Sequence, residues 1–246
     1  MLFIPPIIHQ VWIGSAMPAR KKALTETMRG IDGYRYRLWG NEDLTQANFP
    51  LMWPYIVQLQ DAQRPLSMIG DLMKYELMYH HGGLYFDINI ELLRKTLLWD
   101  TLKGHALVLC NEDDKRITDY LSCGFFAVVP KHPALKHVLD TVRKLKNLKT
   151  GPPNTTTGPY LFYHILKQDP EHHMLPSHMM YPFPPGILSK ITGTCTDDCK
   201  MVCPDSIAVD HFELGCTWCN TTFYVVILVA VLVGLGGGLL LFYFWA

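Results

Sequence analysis

The sequence predicts an α/β fold in which strands alternate with helices around one parallel sheet. Two strand-like runs, residues 7–13 and 34–39, are separated by a helical stretch at 19–29. A third unit, residues 67–91, begins with helical spacing and continues as an alternating strand. Residues 105–110 and 124–129 are predicted to add two core strands. Strands that alternate with helices along the chain are typical of a parallel α/β sheet.

Length and composition predict one domain with a substantial core. The chain has 246 residues, of which 49% are hydrophobic and 18% are charged, and such a chain buries enough surface for a single core. Lys plus Arg and Asp plus Glu each number 22. The chain therefore lacks the general positive field with which nucleic-acid-binding proteins neutralise phosphates, and we expect no nucleic-acid partner.

The first predicted strand is apolar and ends at Gly14, as expected of a buried strand in a parallel sheet. It carries three side chains with polar or aromatic chemistry, namely His9, Gln10 and Trp12. An aromatic ring at the end of a strand is suited to stacking on a flat ligand, and a core Trp is the alternative. After the second strand, Asn41 is expected to cap a helix that begins near residue 42.

Residues 67–91, SMIGDLMKYELMYHHGGLYFDINIE, form the central predicted element. Apolar residues recur at intervals of three and four up to Gly82 and Gly83, where a helix end requires residues that tolerate positive φ. Asp71, Lys74 and Tyr75 lie at positions i, i+3 and i+4, and therefore share one face of this helix.

Beyond the two glycines, apolar and polar residues alternate through residue 91, which predicts a strand. The period of two places Asp87, Asn89 and Glu91 on one face. Oxygen-bearing side chains of this kind suit Mg²⁺ or Mn²⁺, which bind carboxylate and carbonyl oxygens and bridge to phosphates. A half-exposed strand whose polar face meets water gives the same alternation.

The C-terminal segment is strongly apolar. Residues 223–245 include no charged side chain, and a helix of that length would span roughly 34 Å, enough for the hydrocarbon core of a bilayer. We expect a transmembrane helix over residues 221–246, which acts as a single-pass C-terminal anchor; a buried core helix is the alternative. Gly234 and Gly238 form a small-xxx-small pair that would favour a homodimer or heterodimer through this helix.

A Cys-rich segment at 190–220 precedes the predicted membrane helix. Disulfides are expected if this segment is lumenal, and reduced or palmitoylated thiols if it is cytosolic. A structural zinc site is a third interpretation, because Cys216 and Cys219 form a C-x₂-C pair. The flanks of the helix lack the Lys or Arg asymmetry that sets orientation.

The central segment resembles the sugar-binding region of the D-x-D glycosyltransferases of family 32, which include the initiating α-1,6-mannosyltransferase and the inositol phosphoceramide mannosyltransferases. The family pattern S-D-x-x-R-Y-x-x-L-x-x-x-G-G-x-Y-x-D-x-D corresponds here to G-D-L-M-K-Y-E-L-M-Y-H-H-G-G-L-Y-F-D-I-N. Lys74 replaces the Arg, and Asn89 replaces the second Asp. The stretches IPPIIHQVW and YRYRLW and the turn Thr157-Gly158-Pro159 also match, so the resemblance covers about residues 4–218.

The resemblance implies a catalytic domain over residues 1–218 with a GT-A type, Rossmann-like fold that binds a nucleotide sugar. It implies a metal-dependent transfer of a hexose with retention of configuration, using Mn²⁺ or Mg²⁺. Asp87 would be the main metal ligand, Asp71 would hold sugar hydroxyls and Lys74 would contact the donor. Further metal ligands would be Asn89 and His211, with Glu91 as a possible replacement for the missing charge. Contacts to the nucleotide or sugar would come from His9, Gln10, Trp12, Tyr75 and Trp218.

The resemblance also implies partners and a location. The donor would be GDP-mannose or a UDP-sugar, and the acceptor a membrane lipid such as inositol phosphoceramide, because a domain beside a bilayer lies next to lipid headgroups. A glycoprotein glycan is the alternative acceptor, and the Golgi or another endomembrane is the implied location. Because an amide at position 89 removes a negative charge from the metal shell, a non-catalytic, membrane-anchored relative that binds nucleotide sugar is a competing interpretation.

Overall fold

A computed structural model describes residues 3–112, 121–183, 194, 200–201 and 203–211 of the chain. Six strands form one mixed sheet in the order β2-β1-β3-β6-β5-β7, and β4 pairs with β8 in a second, two-stranded sheet. The strands are β1 Ile7–Val11, β2 Arg35–Trp39, β3 Gly83–Phe86, β4 Ile90–Leu92, β5 Leu107–Asn111, β6 Leu121–Val128, β7 His172–Leu175 and β8 Ala208–Asp210. The predicted α/β class is confirmed.

The sheet is parallel only in part, which corrects the expectation of a wholly parallel sheet. β1 runs parallel to β2 and to β3, and β7 runs parallel to β5. β6 is antiparallel to both of its neighbours, β3 and β5. Only nine residues, 112–120, separate β5 from β6, fewer than the dozen or more that a crossover between parallel strands needs.

Seven helices lie wholly within the described ranges: α1 Ala19–Glu26, α2 Trp53–Asp61, α3 Leu66–His81, α4 Lys95–Leu102, α5 Pro133–Val142, α6 Pro153–Thr156 and α7 Pro159–Leu166. Two short 3₁₀ helices occupy Asn41–Asp43 and Ser177–Met179. One hydrophobic cluster joins β1, β5 and β6 to α2, α3, α5 and α7, and a second cluster on the opposite side includes α4, β4 and β8. β3 contributes Tyr85 to the first cluster and Leu84 and Phe86 to the second, so it is buried on both faces.

The two glycines end α3 as predicted. Gly82 and Gly83 have φ of 61° and 101°, values that residues with a Cβ rarely adopt. Space is a second reason: a Cβ on Gly83 would lie 2.4 Å from the carbonyl oxygen of Ile7 on β1. The chain therefore turns from α3 directly into the centre of the sheet.

The predicted continuous strand through residue 91 is wrong. β3 ends at Phe86, and a turn closed by a hydrogen bond from Ile90 N to Asp87 O (3.0 Å) leads into β4. Ile90 and Leu92 then pair with β8, a strand about 120 residues further along the chain. Asp87 and Asn89 therefore lie in a turn between two sheets, and Glu91 is fully buried.

In the described ranges, no helix is both long and apolar enough to cross a membrane. The predicted transmembrane helix at 221–246 and Trp218 lie outside these ranges, as does most of the Cys-rich segment.

Candidate active site

The candidate site lies at the edge of the sheet where β1 and β3 end. The two strands run parallel, with Ile8 beside Leu84 and His9 beside Tyr85. Trp12, just after β1, and Asp87, just after β3, therefore reach the same edge. In open α/β sheets, ligands bind at the carboxyl ends of the strands, so this edge is the expected location of a substrate.

Asp87 is held in place by three neighbouring elements. Its backbone N donates to the carbonyl of Gly124 on β6 (2.7 Å), and the Tyr85 hydroxyl donates to its Oδ1 atom (2.9 Å). Gln10 Nε2 donates to the Asp87 carbonyl (3.2 Å). A Cβ on Gly124 would lie 3.1 Å from Asp87 Oδ2, so the glycine makes room for the carboxylate. The half-buried carboxylate is thus fixed at the end of β3.

Gln10 supports this turn from within the protein. The side chain is fully buried, and its Oε1 atom accepts a hydrogen bond from the Tyr36 hydroxyl (2.8 Å). Gln10 therefore links β2 to the Asp87 turn. Its contact with nucleotide or sugar stays a prediction.

Asp71 and Lys74 form a buried ion pair on α3. Lys74 Nζ lies 2.7 Å from Asp71 Oδ1, and the Thr157 hydroxyl donates to Asp71 Oδ2 (2.9 Å). Burial opposes ionisation of Lys74, but the Asp71 carboxylate raises the Lys74 pKa well above its ordinary value. We assign charge to both groups, because each carboxylate oxygen accepts a hydrogen bond. The Lys74 ammonium also lies 5.4 Å from the ring of Tyr85, whose hydroxyl binds Asp87.

Tyr75 is a core residue. Its ring stacks on Phe162 with centroids 5.6 Å apart, and its hydroxyl donates to the Thr157 carbonyl (2.7 Å). Thr157 is therefore bound twice by α3, through Asp71 and through Tyr75. Of the predicted ligand-contact residues, Asp71 and Tyr75 hold the Thr157 segment against the helix, and Lys74 pairs with Asp71.

His9 is also buried, with 2% of its surface exposed. Trp39 Nε1 donates to His9 Nδ1 (3.0 Å), which requires an unprotonated nitrogen at that position. Burial, with a smaller effect of His81, lowers the pKa of His9 to about 3. The imidazole is therefore neutral at physiological pH, and its hydrogen bond with Trp39 links β1 to β2.

Asn89, Glu91 and His211 come together through the pairing of β4 with β8. His211 N donates to the Asn89 carbonyl (3.0 Å), and His211 Nε2 lies 2.6 Å from Glu91 Oε2, with both side chains fully buried. Two cations from the first turn of α1 complete the arrangement: Arg20 Nη2 lies 3.2 Å from His211 Nδ1, and Lys21 Nζ donates to Asn89 Oδ1. Neither cation was predicted as a site residue from the sequence, although both belong to the run ARKK at 19–22.

These residues do not fit a preformed site for a divalent cation. Asp87 presents a carboxylate at the strand end, but the Asn89 oxygen faces the Lys21 ammonium, and Glu91 and His211 bind each other. Among the residues that the structure describes, no three His, Cys, Asp or Glu side chains are placed to hold one ion. The Mn²⁺ or Mg²⁺ site expected from the resemblance stays a prediction.

An open cleft adjoins Trp12. It has a volume of about 460 Å³ and is lined by the loop 14–17, by Lys22, Glu26 and Arg29 of the α1 region, and by residues 40–42. Trp12 is half-buried, with its Nε1 atom donating to the Ser15 carbonyl (2.8 Å), so part of the ring remains accessible. Asn41 does not cap a helix with its side chain as predicted; it bridges the N–H and carbonyl of Gly14 (2.7 and 2.9 Å) and fixes the loop. The volume is within the usual range for small-molecule sites.

Comparison with known proteins identifies glycosyltransferases as relatives. No family model matches the chain. An uncharacterized glycosyltransferase of Acanthamoeba polyphaga mimivirus is 26% identical over 162 residues, which is 65% of this chain and 63% of that protein. Inositol phosphoceramide mannosyltransferase 1 of Schizosaccharomyces pombe is 26% identical over 211 residues, which is 77% of this chain and 61% of that protein. The chain thus spans about three fifths of the length of these relatives.

Among solved structures, the PaToxG glycosyltransferase superposes with a TM-score of 0.51 and 16% identity, covering 67% of this chain and 69% of that one. At this identity the likeness establishes a shared fold. The resemblance read from the central segment is confirmed: the relatives of this chain are glycosyltransferases, among them inositol phosphoceramide mannosyltransferases.

Proposed function

We propose that this chain is a GT-A type glycosyltransferase that moves a hexose from a nucleoside diphosphate sugar to an acceptor hydroxyl. The observation that carries the proposal is the placement of Asp87, fixed at the end of β3, at the same sheet edge as the Trp12 cleft. The sequence relatives support the same activity. GDP-mannose is the first donor to test, because the relatives from Schizosaccharomyces pombe are mannosyltransferases, and UDP-sugars are the second.

The transfer has simple requirements. The bond between the anomeric carbon and the diphosphate oxygen breaks, and its electron pair leaves with the diphosphate. The acceptor oxygen bonds to the anomeric carbon, and its proton passes to the departing diphosphate, which is consistent with retention and needs no separate base. Trp12 would stack on the base of the nucleotide, and Asp87 would orient the donor at the reacting carbon. Positive charge near the departing diphosphate would stabilise the transition state.

A membrane lipid with an inositol phosphate headgroup, such as inositol phosphoceramide, is the acceptor that we propose. Its support is the name of the Schizosaccharomyces pombe relatives and the predicted membrane helix at 221–246, which would keep the domain beside lipid headgroups in the Golgi or another endomembrane. A glycoprotein glycan is the second acceptor class. Pairing of this helix through Gly234 and Gly238 would make the enzyme a dimer.

The test is transfer of radiolabelled sugar. The purified full chain is incubated with labelled GDP-mannose or UDP-hexoses and with lipid extract or glycoprotein, in parallel with Mn²⁺, Mg²⁺ and EDTA. We expect label in the lipid phase, and we expect its loss in Asp87→Ala. Asp140→Ala, on the exposed face of α5, is the matched control and should keep full activity.

A non-catalytic relative that binds nucleotide sugar is the second candidate function, and the amide at Asn89 in place of a carboxylate favours it. Nucleotide binding with no transfer or hydrolysis under any of these conditions would support that candidate and contradict catalysis. Transfer that persists in Asp87→Ala would contradict the role of Asp87 while leaving the activity in place.

A further inference from the structure

The cleft beside Trp12 is lined by charged side chains of both signs, namely Lys22, Glu26 and Arg29 of the α1 region and Glu42 after β2. Arg29 Nε lies 3.1 Å from Glu26 Oε1, so these two charges offset each other. Within the part of the chain that the structure describes, neither the Lys22 ammonium nor the Glu42 carboxylate has a hydrogen bond or an ion pair. The cleft therefore holds a carboxylate whose oxygens no described side chain occupies.

The backbone that carries Glu42 is fixed on both sides. Asn41 bridges the N–H and the carbonyl of Gly14 (2.7 and 2.9 Å), and Asp43 Oδ2 accepts a hydrogen bond from Gly40 N (2.9 Å). A Cβ on Gly40 would lie 2.6 Å from Glu42 Oε2, so the absence of a side chain at Gly40 lets the carboxylate lie against the backbone. Gly40 and Asn41 also line the cleft. The carboxylate is thus held on the wall of the cleft that contains the Trp12 ring.

A carboxylate in this position distinguishes between nucleotide bases. An aromatic ring stacks on any base, so Trp12 by itself does not select a nucleotide. A carboxylate has only acceptors, and it binds best where two parallel N–H donors meet its two oxygens. Guanine presents such a pair, N1–H and the exocyclic N2–H, on one edge. The corresponding edge of uracil has one N–H between two carbonyl oxygens, which a carboxylate repels.

We infer that Glu42 selects the base of the donor: its carboxylate oxygens accept the N1–H and N2–H of a guanine that stacks on Trp12, so the donor is a guanosine diphosphate sugar. The inference rests on the proposed function, and it concerns the base and not the sugar. Glu42 is exposed, so a ligand can reach its carboxylate. Because this side chain makes no other hydrogen bond or ion pair in the described ranges, substitution separates its role in recognition from the stability of the fold.

The test measures binding of GDP, UDP and inosine diphosphate to the purified full chain by calorimetry, with Mn²⁺ and with EDTA in parallel. We expect the wild-type chain to bind GDP at least about tenfold more tightly than UDP. Inosine diphosphate lacks the N2 amino group of guanine and keeps N1–H. It should therefore bind about tenfold more weakly than GDP, the loss of one charge-assisted hydrogen bond.

Glu42→Gln keeps the shape of the side chain but presents one acceptor and one N–H donor. GDP should bind to this variant about tenfold more weakly, and its advantage over UDP and over inosine diphosphate should be lost. Xanthosine diphosphate carries a carbonyl where guanine has its amino group, so its N1–H and this carbonyl match the amide. It should bind more tightly to Glu42→Gln than to the wild-type chain, a gain that an unfolded variant cannot produce.

Glu171→Gln is the matched control, because Glu171 is exposed and precedes β7 at the edge of the sheet opposite to β2. It should show the wild-type affinities for all four nucleotides. Glu26→Gln removes the other carboxylate of the cleft, and it should leave the preference for GDP over UDP in place. Circular dichroism checks the fold of each variant; if Glu42→Gln does not fold, the wild-type comparison of GDP with inosine diphosphate still decides the question.

Four results would overturn the inference and leave the proposed function intact. The first is wild-type binding of UDP, or of inosine diphosphate, as tight as that of GDP. The second is an unchanged preference for GDP in folded Glu42→Gln. The third is a preference lost in Glu26→Gln instead. The fourth is an equal loss of GDP and UDP affinity in Glu42→Gln, which would assign the carboxylate to the ribose hydroxyls.

A different result would contradict the proposed function itself. A folded wild-type chain that binds none of these nucleoside diphosphates, with Mn²⁺ or with EDTA, would overturn nucleotide-sugar binding and this inference with it.

Discussion

Lys74→Met tests whether the buried ion pair on α3 stabilises the fold. The change keeps most of the side-chain volume but leaves the Asp71 carboxylate buried, with the Thr157 hydroxyl as its remaining partner in the pair network. Removing one partner of a buried ion pair costs about 3 to 5 kcal/mol. With an m-value of about 2 kcal/mol/M, the urea midpoint should fall by about 2 M.

The double variant Asp71→Asn/Lys74→Met should be clearly more stable than Lys74→Met, because no charge is left buried without its partner. Burial already raises the pKa of the Asp71 carboxyl above its ordinary value in the wild-type chain, against the opposing effect of Lys74, so loss of the ammonium in Lys74→Met should raise this pKa further. The folded state then binds more protons than the unfolded state, so the free energy of unfolding should increase as the pH falls from neutral toward the unfolded pKa of Asp.

The assay is urea unfolding followed by circular dichroism, with the exposed pair Lys136 and Asp140 as the comparison. Lys136→Met should change the free energy of unfolding by less than about 0.5 kcal/mol, since exposed helix pairs contribute little. A loss below about 1 kcal/mol in Lys74→Met, or a double variant less stable than the single one, would contradict the assigned buried charges.

Two further predictions concern Gly124 and His9. Gly124→Ala places a Cβ 3.1 Å from Asp87 Oδ2 and 3.2 Å from Ser122 Oγ. Because this displaces the carboxylate, kcat/KM for donor turnover should fall by about tenfold to a hundredfold, while the circular dichroism spectrum stays unchanged. Full activity would show that the Asp87 position is not critical. The pKa of His9 is about 3 in the folded state, so below about pH 6.5 only the unfolded state binds a proton at this residue. The free energy of unfolding of the wild-type chain should therefore fall as the pH drops from 6.5 toward 3, by up to about 1.4 kcal/mol per pH unit. His9→Gln removes this part of the slope in urea titrations at different pH; an identical slope in both proteins would contradict a neutral, buried His9.

Local sequence patterns predict the elements whose conformation depends on neighbouring residues. α3 is predicted because its apolar spacing is helical, and its end is predicted because Gly82 and Gly83 tolerate positive φ. The edge shared by Trp12 and Asp87 follows in turn from parallel strands. The strand prediction is wrong after Phe86, because the alternation of apolar and polar residues continues through residue 91 while the chain passes from one sheet to the other.

The parts that sequence did not predict depend on distant partners. β4 exists because β8 pairs with it, and Glu91 is buried because His211 lies 2.6 Å away. Lys21 contacts Asn89, which lies 68 positions further along the chain, and the local spacing of residues cannot predict such a contact. Gln10 was predicted to contact the nucleotide or sugar. In the structure it is 0% exposed, because it lies between Tyr36 of the next strand and the Asp87 turn.

Thr157 is joined to α3 by its hydroxyl and by its carbonyl, and these two anchors come from successive turns of a single helix. A residue held by both its side chain and its backbone carbonyl cannot move independently of that helix. Under the proposed function, any rearrangement that moves Thr157 to admit an acceptor would have to break both hydrogen bonds or move α3 with it.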